Sequence, residues 1–175
     1  MSHRTSDDLI AGLDHVREAP RDDGTLVLIV RRPIVDEREV LDVGELTLDR
    51  GLVGDSWPDR TKVDPARQLT VMNARATDLF AGERDRWPLA GDQLYVDLDI
   101  SEDNLPSGTR LRMGGAVIEI SEEPHTGCAK FSERFGMDAA RFVNSPEGRK
   151  LRLRGLNARV VQPGAISVGD TVAKC

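Results

Sequence analysis

A cysteine on a predicted strand-to-helix turn is the first residue of this chain whose type and placement suggest chemistry. Cys128 lies in the segment Glu123–Lys130, after the strand-like run 116–120 and before the helix-like run 131–135. A side chain on such a turn is exposed yet held by rigid elements. The alternative is that Cys128 is a small, buried, inert residue, because cysteine is among the residue types most often buried.

Three features near Cys128 could lower the pKa of its thiol and so favour the reactive thiolate. Lys130 follows two residues later, His125 precedes by three, and a helix beginning near residue 129 would point its backbone N–H groups at the sulfur. These features predict a reactive or metal-ligating Cys128, with Lys130 and His125 as catalytic candidates. Structural zinc and a Cys–His protease are weaker alternatives, because no second Cys or His pair exists and a histidine three residues away is a poor base.

A basic segment near the C-terminus is the second candidate for a binding function. Lys150, Arg152 and Arg154 alternate in a run that reads as a strand over 151–161, so the three would share one face and could hold an anion. The alternative is a solvated strand face. Upstream, the glycines at 51 and 54 indicate a sharp turn, at which Asp55 either orients a partner or closes an Asx turn.

The composition limits the class of protein. The 175 residues carry a net charge of −6, which argues against nucleic-acid or anionic-membrane binding. No apolar run approaches the length of a membrane span, and the N-terminus lacks the layout of a secretory signal. The two cysteines, Cys128 and the final Cys175, do not form a disulfide framework. We therefore expect a protein of the reducing cytoplasm.

The elements that must position these residues are mostly short strands. An N-terminal helix or extension over 1–24, beginning near Ser6, precedes a single domain over 25–175. Strands are predicted over 25–32, 38–48, 68–72, 94–100, 109–113, 116–122, 151–161 and 166–172, with a helix over 74–81 after Asn73 and helical segments after Cys128. Residues 144–148 read as a turn. This pattern predicts a mainly β fold, a β-barrel with a few short peripheral α-helices, and no βαβ alternation.

The order of motifs resembles the MOSC domain family, the module found at the C-terminus of molybdenum cofactor sulfurases and in stand-alone bacterial proteins. The matching segments are 51–55, 90–96, 101–105, 108–111, 154–160 and 164–170, and the resemblance runs from about residue 25 to residue 172. It implies a β-barrel and a cysteine, here Cys128, that carries sulfur or ligates molybdenum. Two departures are Gly127, where the family often has proline, and Ser56-Trp57, where Arg-His is frequent.

The resemblance also implies the cofactor, site residues and partners. Asp55, Asn104, Arg154 and Asn157 fall on motif positions and, with Arg152, would bind a molybdenum–pterin cofactor. The pyridoxal-phosphate desulfurase domain of some relatives is absent from this sequence, so sulfur would come from a cysteine desulfurase or pass to a molybdoenzyme partner. The function expected is sulfur transfer or molybdenum-dependent reduction of N-hydroxylated compounds. The alternatives are a non-catalytic module for cofactor delivery and an interaction β-barrel with an inert Cys128.

Overall fold

A closed β-barrel forms the centre of the protein in a computed structural model that describes residues 2–175. The first residue of the predicted N-terminal segment lies outside the described residues. The strands are β1 (Gly24–Arg31), β2 (Glu39–Leu41), β3 (Val43–Thr47), β4 (Gly51–Leu52), β5 (Leu69–Asn73), β6 (Leu94–Asp97), β7 (Arg110–Met113), β8 (Ala116–Ile120), β9 (Leu156–Gln162), β10 (Gly164–Ser167) and β11 (Thr171–Lys174).

Pairing between the first and last strands closes the barrel. The sheet order is β11-β7-β8-β9-β5-β6-β1-β2, and an additional β11–β1 pairing joins seven of these strands into a ring with β2 on its outside. All pairs are antiparallel except β5 with β6. A small second sheet, β10-β3-β4, lies beside the ring. The prediction of a mainly β barrel with short peripheral helices is therefore confirmed.

Within residues 2–175, six short α-helices lie outside the barrel. They are α1 (Ser6–Ala11), α2 (Leu13–Arg17), α3 (Ala74–Ala81), α4 (Ala129–Phe135), α5 (Met137–Asn144) and α6 (Pro146–Lys150). The predicted helix over 74–81 is confirmed as α3: the side chain of Asn73 caps it and Gly82 ends it. The N-terminal helix is broken at Gly12 and is capped by Thr5 rather than by Ser6.

Two apolar clusters explain why β1 is apolar on both faces. Leu26 and Ile29 point into a cluster that fills the barrel, whereas Leu28 and Val30 belong to a second cluster under the helices. A register shift between Leu26 and Leu28 accompanies this change of side. The second cluster also buries Leu9 and Val16 of the N-terminal helices and Phe131 of α4, so α4, which begins directly after Cys128, packs on the outside of the barrel wall.

The segment before β9 differs from its prediction. Residues 146–150 form α6 instead of a turn, and residues 151–154 form turns instead of the first half of a strand. Ser145 caps α6 through its hydroxyl, with Pro146 at the first helical position, where its missing N–H costs nothing. Arg152 adopts a φ of 51° in the turn. Lys150, Arg152 and Arg154 therefore do not share one strand face, and the predicted anion-binding strand is wrong.

Candidate functional site

A wide cavity lies where the loop after β1 faces the start of α4. Its volume is about 1030 Å³, and Cys128, Lys130 and His125 all line it. The backbone of the Cys128 turn is held from two sides. Gly127 N–H donates to Asn144 Oδ1 at 2.9 Å, and Asn144 Nδ2 donates back to the Gly127 carbonyl at 3.1 Å. Asn157 Nδ2 donates to the carbonyl oxygens of Glu123 and Pro124.

Cys128 is an exposed free thiol at the N-cap of α4. Partial burial on its own would raise the pKa of this thiol. The backbone N–H groups of Phe131 and Lys130, together with the charge of Arg154, outweigh burial and lower the pKa below its usual value. The structure thus supplies the helix N–H groups expected from the sequence. The charged side chain that lowers the thiol pKa is Arg154, whereas the sequence had indicated Lys130.

The wall of the cavity is strongly cationic although the chain as a whole is acidic. Two carboxylates, Asp36 and Asp59, face seven cationic side chains: Arg32, Arg38, Arg60, Arg67, Lys130, Arg134 and Arg154. Five of these cations have carboxylate partners in the described chain. The two others, Arg38 and Arg60, have none among residues 2–175, and Arg38 donates only to the backbone carbonyls of Pro88 and Glu37.

Arg38 is held in an electrostatically unfavourable position. Its burial lowers the pKa of the guanidinium, and the neighbouring charges of Arg134 and Arg32 lower it further. Cations crowded together without enough carboxylates attract an anion that neutralises them. The cavity is therefore suited to a ligand that carries a phosphate or a similar anionic group.

Asp55 supports the cavity from behind its wall. Its carboxylate accepts from the Arg32 guanidinium at 2.7 and 2.9 Å and from Trp57 N–H at 3.1 Å. Burial alone would raise the pKa of Asp55, but these contacts with Arg32 and Trp57 hold it below its ordinary value. Asp55 is buried, and it fixes the position of Arg32, which does line the cavity.

The other predicted cofactor residues divide into two groups. Arg154 and Asn157 line the main cavity beside Cys128. Asn104 is instead buried elsewhere, where it donates to the carbonyls of Arg21 and Asp99 and accepts from Lys174 Nζ at 2.7 Å.

Arg152 also lies away from the main cavity. Its Nη1 donates to the carbonyls of Leu105 and Ile100 at 2.6 and 3.1 Å, which ties its turn to the loop after β6. The structure therefore brings Cys128, Lys130, His125, Arg154 and Asn157 together at one cavity, with Asp55 directly behind, and leaves Asn104 and Arg152 outside it.

Sequence reasoning missed two parts of the site. Arg32, Arg38 and Arg60 come from loops far from Cys128 in the chain, and no local spacing indicates that they meet. Asp92 was recognised only as part of a motif, yet its carboxylate is fully buried and accepts from Arg154 Nη1 at 2.6 Å. An acidic residue next to Gly91, at the start of a strongly apolar strand, was the available signal for a buried ion pair.

Comparison with known proteins extends these observations. The family model for the MOSC domain matches residues 58–173. The YuaD protein from Bacillus subtilis has a similar structure, with a TM-score of 0.64 and 17% identity over 85% of this chain and 93% of that one. YiiM from Escherichia coli aligns with a TM-score of 0.59 and 21% identity over 86% of this chain and 69% of that one.

These two structures are similar in fold alone, given their low identity. No curated protein matches the chain. The family model covers well over half of the 175 residues, including Cys128 and strands β5 to β10. The chain belongs to the MOSC domain family, which is linked to molybdenum cofactor binding.

Proposed function

We propose that this protein binds a molybdenum–pterin cofactor in its main cavity and serves the reduction of N-hydroxylated compounds. One observation carries the proposal: an exposed cysteine with a lowered thiol pKa shares a cavity with two arginines, Arg38 and Arg60, that have no carboxylate partner among residues 2–175. A thiolate is a soft donor of the kind that molybdenum accepts. Arginines bind phosphate oxygens through charge-assisted hydrogen bonds.

The protein donors fit a metal that is held mainly by an organic cofactor. Within residues 2–175, no three His, Cys, Asp or Glu side chains cluster closely enough to hold a metal ion by themselves. Cys128 would thus be the single protein ligand, and the cofactor would provide the others. Arg38 and Arg60 would neutralise the cofactor phosphate, while the ion pair between Arg32 and Asp55 keeps that wall of the cavity rigid.

The reaction class follows from what the bound cofactor supplies, which is a centre that exchanges two electrons. Cleavage of an N–O bond consumes two electrons and two protons, converts the hydroxylamine to the amine and releases water. The electrons would come from a separate redox protein. The residues of this chain would bind and orient the substrate and its protons, in a cavity that is large enough for a cofactor and a small molecule together.

Sulfur transfer is the second candidate, and the exposure of Cys128 favours it. A carrier cysteine must meet a donor protein, and Cys128 is accessible at the cavity. The thiolate would attack the outer sulfur of a persulfide on a cysteine desulfurase, forming a new S–S bond while the donor thiolate leaves. The product, a Cys128 persulfide, would pass its sulfur to a molybdoenzyme partner.

Retention of molybdenum tests the proposed function. Cys175→Ser protein and Cys128→Ser/Cys175→Ser protein are each mixed with molybdenum–pterin cofactor, desalted and assayed for bound metal. We expect retention in the first protein and a loss of at least tenfold in the second, because the thiolate ligand is gone. Equal retention by both proteins would contradict the role of Cys128 as a ligand.

Two arginine variants test the phosphate site in the same assay. Arg60→Ala removes an exposed cation from the cavity, and Arg141→Ala removes an exposed cation that pairs with Asp138 outside it. We expect Arg60→Ala to weaken cofactor retention several-fold and Arg141→Ala to leave it unchanged. If no protein retains cofactor but a desulfurase transfers labelled sulfur to Cys128, the sulfur-carrier function replaces the reductase.

A further inference from the structure

Behind Cys128, three buried polar atoms without partners come from residues that contact one another. Residues 2–175 contain four buried side-chain polar atoms that lack a hydrogen-bond partner, and three of them are Asp92 Oδ1, His125 Nδ1 and Arg154 Nε. Buried polar atoms without partners are rare in folded proteins, so their concentration here calls for an explanation. Asp92 Oδ1 lies 3.5 Å from His125 Nδ1, while Asp92 Oδ2 accepts from Arg154 Nη1 at 2.6 Å.

The pairing of Asp92 with Arg154 determines which nitrogen of His125 carries the proton. A carboxylate bound to a guanidinium can only accept hydrogen bonds, so the atom that faces its free oxygen must be a donor. That atom is Nδ1 of His125, and a shift of a few tenths of an ångström would bring the pair into hydrogen-bonding range. The bond made by one ring nitrogen decides the tautomer of the imidazole.

His125 carries a single proton at neutral pH. Its pKa is lowered to about 4, and burial is the largest cause. The positive charges of Arg154, Arg32 and Arg67 also lower the pKa, whereas the negative charge of Asp92 raises it. With the one proton on Nδ1, the other nitrogen, Nε2, keeps its lone pair and is a hydrogen-bond acceptor. Nδ1 is buried while 19% of the side chain is exposed, so the exposure belongs to the rest of the ring.

Nε2 has no hydrogen-bond partner in the described part of the protein, and its ring lines two openings. One is the main cavity, where Cys128 also lies. The other is a smaller cavity of about 240 Å³ that shares Pro124, His125, Thr126 and Arg154 with the first. Because the ring of His125 borders both cavities, its Nε2 can reach a ligand bound in the main one.

We propose that Asp92 fixes His125 as the Nδ1–H tautomer, and that His125 Nε2 accepts a hydrogen bond from an N–H or O–H group of the ligand in the main cavity. The ligand half of this proposal rests on the proposed function. His125 touches the ligand, and Asp92 is a positioning residue that acts through it. In the proposed function that ligand is the molybdenum–pterin cofactor, whose pterin carries N–H groups.

The tautomer is tested on the protein alone by nitrogen-15 NMR of its histidine rings. The chain has three histidines, His3, His15 and His125, so His125→Gln assigns the signals by subtraction. We expect His125 in the Nδ1–H form from pH 8 down to pH 5, whereas a ring in the Nε2–H form, or one that becomes doubly protonated near pH 6.5, would overturn the proposal. Asp92→Asn should shift the equilibrium toward Nε2–H and Asp92→Glu should restore Nδ1–H. If Asp92→Asn does not fold, the wild-type spectrum decides.

The ligand contact is tested with molybdenum–pterin cofactor and two variants of His125. The far amide of His125→Gln can replace the Nε2 acceptor, whereas the shorter His125→Asn can reach Asp92 but not the ligand. We expect about tenfold weaker binding in His125→Asn, the factor for one hydrogen bond of about 1.4 kcal/mol, and near wild-type binding in His125→Gln. Wild-type affinity in both variants would overturn the acceptor role. If wild-type protein binds no cofactor, the proposed function and the ligand half fail, and the NMR result alone decides the role of Asp92.

Discussion

The reactivity of Cys128 depends on a balance between two opposing effects at a single residue. Partial burial raises the pKa of the thiol, and the N–H groups of Phe131 and Lys130 and the charge of Arg154 lower it by more. Cysteine gains nucleophilicity and metal affinity only as the thiolate. The sequence indicated that this balance would favour the thiolate, but it could not supply Arg154, which approaches from a turn before β9.

Alkylation of the thiol measures this balance. In Cys175→Ser protein, we expect the rate of reaction of Cys128 with iodoacetamide to rise with a midpoint below pH 9.0, the ordinary value for the group. A short unfolded peptide spanning residues 124–132 is the control, since it has the same sequence without the helix N–H groups or Arg154. A midpoint at or above that of the peptide would show that burial dominates.

At the scale of elements, the position of His125 depends on the turn that leads into β9. Gly155 has a φ of 98°, and a Cβ placed there would lie 2.6 Å from the Val71 carbonyl oxygen and 3.4 Å from His125 Nδ1. Glycine is therefore required twice at this position, for its backbone conformation and for its close approach to β5. The turn forms part of the wall against which Asp92 and His125 meet.

A pair of glycine substitutions separates these two requirements. Gly169 has a φ of 96° and open space around its missing Cβ. We expect Gly169→Ala to lower the free energy of unfolding by roughly 1 kcal/mol through backbone strain alone. Gly155→Ala should lower it by roughly 2–4 kcal/mol, because overpacking adds to the same strain. Urea denaturation measures both, and equal losses would mean that β5 moves aside freely.

Elements with local signals were predictable, and those determined by distant contacts were not. The helix 74–81 has its cap at Asn73 and its terminating glycine in the sequence, and the structure reproduces both. The hairpin between β7 and β8 at Gly114-Gly115 and the end of α4 at Gly136 likewise coincide with glycines in the sequence. In contrast, α6 was missed because Gly148 indicated a turn, although Ser145 and Pro146 before it are helix-start signals. The missing Cβ of Gly148 would lie 2.2 Å from the Phe142 carbonyl, so the packing of α6 against α5 explains the glycine.

The same division applies to the candidate site. Cys128, Lys130 and His125 were predictable because they share one turn, whereas Arg38 and Arg60 reach the cavity only through the folding of separate loops. Asn104 and Arg152 fall on or near motif positions, but their hydrogen bonds hold the loop after β6 and the C-terminal strand. A motif can thus mark a residue that supports the barrel as well as one that faces a ligand.

At the scale of the whole molecule, two apolar clusters support one site. The first cluster fills the barrel and packs its strands against one another. The outer cluster anchors α4 through Phe131 and Phe135. Leu9 and Leu13 of the N-terminal helices complete that outer cluster, so the first helices contribute to the support of Cys128. Within the described residues, no helix is long and apolar enough to cross a bilayer.

Because His125 is buried as a neutral group, the free energy of unfolding of the protein depends on pH. Its pKa is about 4 in the folded protein and 6.5 when unfolded. Between these values the unfolded chain binds more protons, so the free energy of unfolding falls as pH decreases from 6.5 toward 4 and recovers as pH rises. From pH 7 to pH 5 we expect the free energy of unfolding to fall by roughly 2 kcal/mol because of this residue. This pH range lies above the ordinary pKa values of Asp55 and Glu119, which are 3.8 and 4.5.

Urea denaturation of wild-type and His125→Gln protein at pH 7 and pH 5 isolates this contribution. Glutamine does not titrate, so the variant should lose roughly 2 kcal/mol less than wild type over the same interval. His15→Gln is the matched control for replacing a histidine by glutamine, because His15 is exposed on α2. If the His125→Gln and wild-type proteins lose stability equally, His125 accepts its proton in the folded state as easily as in the unfolded chain. Asp92 would then stabilise the doubly protonated ring, and Nε2 would not be free to accept from a ligand.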